Sequence, residues 1–227
     1  MTIQVCVSIL PWTVNEALNL IEKAEKHKPD FIEVRLDRLK EHSKLADIAE
    51  CTKIPLIATN RPVDCGGEFS GSETERQQTL LNAAKKGFEY VDIELSAVGL
   101  KNIVENLRQI NVKPIISFHD FKETPGISKL QGILKDQIKN GAEVCKIVTT
   151  AKVIEDNLTL LNFLSSVSKS SKVVCFAMGT LGKLSRLLSP LFGGFFTMAS
   201  LERGGETAPG QMTILELRAV YRALGVK

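Results

Sequence analysis

Residues 142–150 read AEVCKIVTT, a run suited to a buried strand except for the ammonium group of Lys146 at its centre. Side chains alternate along a strand, so Val144 and Val148 flank Lys146 on its own face. Lost solvation and nearby arginines both favour the neutral amine and are expected to lower its pKa. A neutral amine is a nucleophile whose natural partner is a ketone or aldehyde, and the product is a Schiff base. Its protonated iminium withdraws electrons from the adjacent carbon, which makes a proton there easy to remove. His119, on the preceding strand, titrates near working pH and suits that transfer. Lys146 with His119 therefore points to proton abstraction α to an imine. From these residues alone, β-elimination, isomerisation and carbon–carbon cleavage all stay open.

Other polar side chains recur two apart near the ends of β-rich runs. Residues 31–37 supply Glu33, Arg35 and Asp37, and 56–61 supply Thr59 and Arg61. Residues 90–95 supply Asp92 and Glu94, 114–119 supply Ser117 and His119, and Met178 closes 173–178 with Arg186 following in GKLSR. Burying that much charge is costly unless the groups pair or serve a site, so five strands presenting charge toward one end read as function. Arg35, Arg61, Arg186 and Lys146 face one candidate histidine. A metal site wants two or three His or carboxylate ligands without surrounding cations, so none is expected. His27 and His42 fall in or near surface helices. The mix suits a small anionic or polyhydroxy substrate, with arginine forks on a carboxylate or phosphate.

The elements that must position these groups alternate along the chain. Strands are expected at 3–10, 31–37, 56–61, 90–95, 114–119, 144–149, 173–178 and 195–200. Helical periodicity fills the intervals: Val14, Ala17, Leu18, Ile21 and Ala24 form the one-sided stripe of a surface helix. Ser72 with Glu75 three residues on, and Gly87 beyond, mark a capping box and a glycine stop. Eight strand–helix units in one chain imply a parallel α/β sheet closed into a (β/α)₈ TIM barrel, one domain over residues 1–227. An open doubly wound sheet would carry a Gly-rich turn after its first strand, whereas Leu10-Pro11-Trp12 follows here. Trp12 is expected to serve packing.

Gross composition agrees. The chain has 227 residues, 44% hydrophobic and 24% charged, with net charge +3. That charge gives no reason to expect nucleic acid. Cys6, Cys51, Cys65, Cys145 and Cys175 lack zinc spacing or a disulfide pattern and suit a reducing cytoplasm. Neither a signal peptide nor a membrane span is expected. No second catalytic unit is expected after the eighth helix.

At the chemistry-bearing segments the chain resembles the type I 3-dehydroquinate dehydratases of the shikimate pathway, over essentially its whole length. FIEVRLDRL is similar to an E-x-R-x-D segment, IATNRPVDCGGEFSG to T-x-R-x-x-x-E-G-G, and IISFHDF to S-x-H-D-F. GAEVCKIVTTA resembles the strand bearing a Schiff-base lysine, FAMGTLGKLSRLLSPLFG the M-G-x-x-G-x-x-S-R segment, and TMASLERGGETAPGQMTI the closing A-P-G-Q loop. The resemblance implies that Lys146 condenses with the ketone of 3-dehydroquinate. His119 would take the C2 proton and return a proton to the departing C1 hydroxyl, in a syn elimination. It also implies that Arg186, with Thr207 and Gln211, holds the carboxylate, that Glu33, Arg35 and Arg61 bind ring hydroxyls, and that Met178 packs on the ring. The last loop would act as a lid. No cofactor or metal is implied, and a cytoplasmic homodimer is.

One position departs from the pattern. Cys65 stands where the E-G-G motif carries the glutamate that orients the histidine. A thiol is shorter and normally neutral, so it cannot stabilise an imidazolium as a carboxylate does. Asp64, Glu68 and Glu94 are candidates to replace it; otherwise His119 works with a less basic ring. Cys65→Glu is expected to keep or raise kcat and to shift the acid limb of the pH profile. A large loss of kcat would show a site adapted around the thiol.

Overall fold

The computed structural model describes residues 3–226. Strands and helices alternate: β1 (Val5–Ile9), α1 (Val14–Glu25), β2 (Phe31–Arg35), α2 (Leu45–Glu50), β3 (Leu56–Thr59) and α3 (Glu73–Lys85). They continue with β4 (Tyr90–Glu94), α4 (Leu100–Gln109), β5 (Lys113–His119), α5 (Ile127–Lys139), β6 (Val144–Thr150) and α6 (Asp156–Val167). The last are β7 (Val173–Met178), α7 (Lys183–Leu188), β8 (Thr197–Ser200), β9 (Met212–Thr213) and α8 (Ile214–Ala223). All pairings are parallel, and the order runs β7-β6-β5-β4-β3-β2-β1-β8-β9. This is the curled α/β barrel architecture expected from the alternation.

β1, β2 and β3 are shorter than the expected 3–10, 31–37 and 56–61, so Asp37 and Arg61 lie just past the strand ends, and two further details differ from the sequence reading. β8 begins at Thr197, not at 195, and its seam with β7 carries a backbone hydrogen bond from Phe195 N to Val173 O, 2.8 Å, instead of a ladder. The cause is aromatic packing: Phe195 and Phe196 turn against Phe31, with ring centroids 5.6 and 5.1 Å away. The second detail is β9, a two-residue strand paired to β8 beyond the last loop.

Alternation sorts the side chains. On β1, Val5, Val7 and Ile9 face the helices while Cys6 and Ser8 face inward. The barrel floor is apolar, built from Cys6, Phe31, Ile57, Tyr90, Ile115 and Val144 among others. Above it the strands turn polar in register, pairing Ser8 with Glu33, Thr59 with Asp92 and Ser117 with Lys146. Cys6, Cys145 and Cys175 are buried free thiols, as expected. The expected caps form as well: Ser72 and Glu75 bond each other's backbone N–H, and Gly87 ends the helix at φ +112°. Trp12 is half exposed, with the Arg38 guanidinium 4.5 Å from its ring centroid; it packs on a cation, not in the core.

One helix side chain holds the lysine strand from behind. Gln137 of α5 is fully buried, and its Nε2 donates to Ile116 O and Lys146 O, both at 2.9 Å. Gln137→Ala strands two buried carbonyls and is expected to cost about 1–3 kcal/mol. Urea denaturation measures it, and an unchanged midpoint would remove that brace from the account.

Candidate active site

At the C-terminal ends of the strands lies a cavity of about 100 Å³ whose lining includes Lys146, His119, Arg186, Glu33, Arg35 and Arg61. Met178, Thr207 and Gln211 line it too, so the nine residues given roles by the resemblance reach one space, while Asp37, Thr59, Asp92, Glu94 and Ser117 are not part of its lining. Cys65, Phe121 and Phe176 complete much of the remaining wall.

The environment of Lys146 reverses the sequence expectation. Its Nζ lies 2.8 Å from Asp92 Oδ2 and 3.4 Å from Glu33 Oε1, all three groups buried. Burial alone would depress the amine, but the charges of Asp92 and Glu33 outweigh it and the pKa rises. Lys146 thus rests as an ammonium. Its two partners are held down as carboxylates: burial opposes ionisation, and Lys146 with Arg61 (for Asp92) or Arg35 (for Glu33) overcomes it.

Arg61, just past β3, joins side chains of β4 and β5. Its Nη2 donates to Asp92 Oδ1 at 2.7 Å, and its Nη1 to Glu94 Oε1 at 2.5 Å and Ser117 Oγ at 2.8 Å. Glu94 is shared with Arg76, whose Nη1 lies 2.5 Å from Oε2. Arg35 forms a two-pronged pair with Asp37, both bonds 2.7 Å. Asp37 also accepts from Glu68 N at 3.0 Å, which ties down the loop after β3.

Arg186 differs from every other buried cation in the cavity. It is 1% exposed, yet its Nε and Nη2 find no hydrogen-bond partner among the described residues. Its guanidinium stacks 4.2 Å from the Phe176 ring centroid, and burial alone pulls its pKa down to about 10. A desolvated fork with free N–H groups has the geometry to accept a planar anion.

His119 is half-buried and stacks on Phe121, with centroids 5.9 Å apart. Burial first, then Arg61 and Lys146, hold its pKa well below the ordinary range, so the ring rests neutral. None of the three candidate carboxylates relieves it. Asp64 is exposed, Glu68 pairs with Arg38, and Glu94 is taken by two arginines. Cys65 lines the cavity beside His119, and burial raises its thiol pKa, so it supplies no charge. The less basic ring is the alternative that fits.

The last loop docks onto this frame. Thr207 Oγ1 donates to Ser8 Oγ at 3.0 Å, Ser8 Oγ donates to Glu33 Oε2 at 2.5 Å, and Thr207 N donates to Gln211 Oε1 at 2.8 Å. Gly179 N donates to Pro209 O, and a Cβ on Gly210 would lie 2.3 Å from Gly179 O, so only glycine allows this approach. Strand spacing flagged Asp92 without giving it a role, whereas Ser8 and Arg76 were not singled out by sequence. Ser8 carries the two-residue strand spacing that would have flagged it. Arg76 looks like any exposed helix cation and carries no such signal. No group of three or more metal-ligating side chains occurs among the described residues.

Comparison with known proteins points to one family. The model of the type I 3-dehydroquinase family matches residues 5–227. A 3-dehydroquinate dehydratase of Dehalococcoides mccartyi is 41% identical over 194 residues, 86% of each chain. One from Methanococcus maripaludis is 35% identical over 223 residues, 97% of this chain and all of that one. Among solved structures, the type I 3-dehydroquinate dehydratase of Clostridium difficile, with covalent modified comenic acid, aligns with TM-score 0.87 at 25% identity, covering 98% of this chain and 92% of that one.

The unpaired guanidinium carries its own test. Removing an uncompensated buried cation offsets the packing lost with it. Arg186→Leu is therefore expected to leave Tm within a few degrees of wild type, as ΔΔG under about 1 kcal/mol implies. Cyclohexanecarboxylate should raise the Tm of the wild type and not of the variant. Equal protection of both would place the anion elsewhere.

Proposed function

The chain belongs to the type I 3-dehydroquinase family, and from that premise we propose how its residues divide the work of a 3-dehydroquinate dehydratase. The enzyme is a hydro-lyase that removes water from 3-dehydroquinate to give 3-dehydroshikimate. In the proposed division, Arg186 takes the substrate carboxylate, assisted by Thr207 and Gln211 from the loop above. Its free, buried N–H groups are the observation that carries this reading. Glu33, Arg35 and Arg61 meet the ring hydroxyls, and Met178 packs against the ring; all line the same cavity.

Lys146 attacks the ketone. It rests protonated, so the proton must leave first, and neutral His119 is the base in the cavity free to receive it. Loss of water from the carbinolamine leaves an iminium. That cation inherits the place of the ammonium between Asp92 and Glu33, which favour it over the neutral imine without reorganising. His119 then takes the C2 proton and delivers a proton to the leaving C1 hydroxyl. Water hydrolyses the imine and frees the enone. Every proton moved by His119 is returned, so no cofactor is required by the scheme.

Residues 1–227 act as one catalytic domain in this reading, without a nucleic-acid or membrane partner. Among the described residues, no helix is long and apolar enough to cross a membrane. A cytoplasmic location and pairing of two copies complete the proposal.

Borohydride reduction with 3-dehydroquinate present is expected to fix the added mass on Lys146, while untreated enzyme develops enone absorbance. Lys146→Met should abolish both and lower kcat at least about ten-thousandfold, the scale lost with an essential covalent group. Full activity in that variant, or an adduct on another residue, would overturn the assignment.

A further inference from the structure

The base of the proposed scheme is held differently from the ions around it. Lys146, Arg35 and Arg61 are each fixed by charged hydrogen bonds. By contrast, no hydrogen bond holds either ring nitrogen of His119 among the described residues; even His42 has Leu36 O 3.2 Å from its Nε2. Open space flanks the ring as well. His119 lines the reaction cavity and also a second cavity of about 250 Å³, shared with Cys65, Glu94, Ser117 and Phe118. What covers its face is Phe121, with centroids 5.9 Å apart and planes within 14°.

Phe121 is itself held from two directions. Asp120 N donates to Val148 O and Thr150 Oγ1 donates to Asp120 O, both at 2.9 Å. The Asp120 carboxylate turns back to accept from Lys122 N at 2.9 Å and Glu123 N at 3.0 Å. The backbone on each side of Phe121 is therefore anchored, although its ring is 47% exposed. The tip of that ring meets Gly66, where a Cβ would lie 2.8 Å from Phe121 Cζ and φ is +77°. Glycine leaves room for the ring and takes the left-handed backbone without strain.

We propose that Phe121 is the positioning residue for His119: its face, seated against Gly66, fixes the plane of the imidazole and keeps water off it. The inference rests on the reading of His119 as the base and deepens it, because this chain has a thiol where a carboxylate would orient the ring. A carboxylate orients by adding charge; a phenyl ring adds none and removes solvent. Arg61, Lys146 and Arg35 face the imidazole with positive charge and Asp92 with negative. In the second cavity Cys65 is neutral, and Glu94 is already paired with Arg61 and Arg76. Burial is the largest cause of the depressed His119 pKa, so uncovering the ring raises it. A separation of 5.9 Å is at the outer limit of a cation–π contact, so the cover lost outweighs the attraction lost.

Nitrogen-15 NMR of labelled histidine reads the ring directly, since the chain has three histidines and His119→Asn assigns the signal. In wild type the ring is expected to stay neutral well below about 6.5, the ordinary value. Phe121→Ala should move the titration up toward that value. It should also lower kcat about tenfold to a hundredfold, with KM little changed, the scale of a base held about 1 Å out of place. Gly66→Ala crowds the ring without removing it. It should shift the titration the same way, and add nothing in the Phe121→Ala background. Thermal denaturation checks that each variant is folded. A lower kcat with an unmoved titration makes Phe121 a cavity wall only and overturns the positioning role, as does no change in either. A titration that moves while kcat holds overturns instead the reading of His119 as the base.

Discussion

The contact between Lys146 and Asp92 organises everything above the barrel floor. A buried ion costs several kcal/mol unless its partner is close and well aimed. Here the cost is spread over an array in which cations and anions alternate: Glu33, Lys146, Asp92, Arg61, Glu94 and Arg76, running from β2 across β6, β4 and β3 to α3. Three cations meet three carboxylates, with Ser8, Thr59 and Ser117 filling remaining hydrogen-bond positions on the carboxylates. Arg35 and Asp37 close on each other. What is left over is the positive charge of Arg186. The array is balanced without a substrate, and the site as a whole is short of one anion.

That balance changes how the lysine must be understood. Alternation placed Lys146 inside the barrel correctly, but it could not say which neighbour comes closest. Arginines were the visible ions, and they argued for a depressed pKa. Strand stagger, which no single strand encodes, instead sets Asp92 of β4 at 2.8 Å from an amine two strands away. The same limit explains Arg76. Its i−3 partner Glu73 suggests an ordinary exposed pair, and only the position of α3 over the strand ends brings its guanidinium to Glu94. By contrast, the eight alternations, the capping box at Ser72 and the inward polar set were legible because each rests on a short period. The β9 pairing and the open β7–β8 seam were not. Two residues have no period, and the turn of Phe195 and Phe196 depends on Phe31 far away in the chain.

The same array sets the character of His119. With Glu94 consumed by Arg61 and Arg76, and a neutral thiol at Cys65, the imidazole sits among cations without an anionic partner of its own. A ring in that field accepts a proton reluctantly and gives it up readily. In the proposed scheme the first property slows C2 deprotonation and the second speeds delivery to the leaving hydroxyl. A neutral resting ring also keeps the base available into acid, since protonation takes hold only as pH falls through its depressed pKa.

The raised pKa of Lys146 looks at first like an obstacle, because an ammonium is no nucleophile. The obstacle applies to one step only. Attack on the ketone requires a neutral amine for as long as the carbon–nitrogen bond takes to form. In the proposed scheme the charge then returns to the same nitrogen twice, in the iminium that acidifies C2 and in the conjugated iminium left when the C1 hydroxyl departs, with a neutral enamine between them. A site that lowered the lysine pKa by apolar burial would speed attack and then penalise the iminium that does the work. Asp92 and Glu33 make the opposite choice. They hold the resting ammonium in the place and charge that the iminium will have, so the electrostatic work of stabilising it is done when the protein folds.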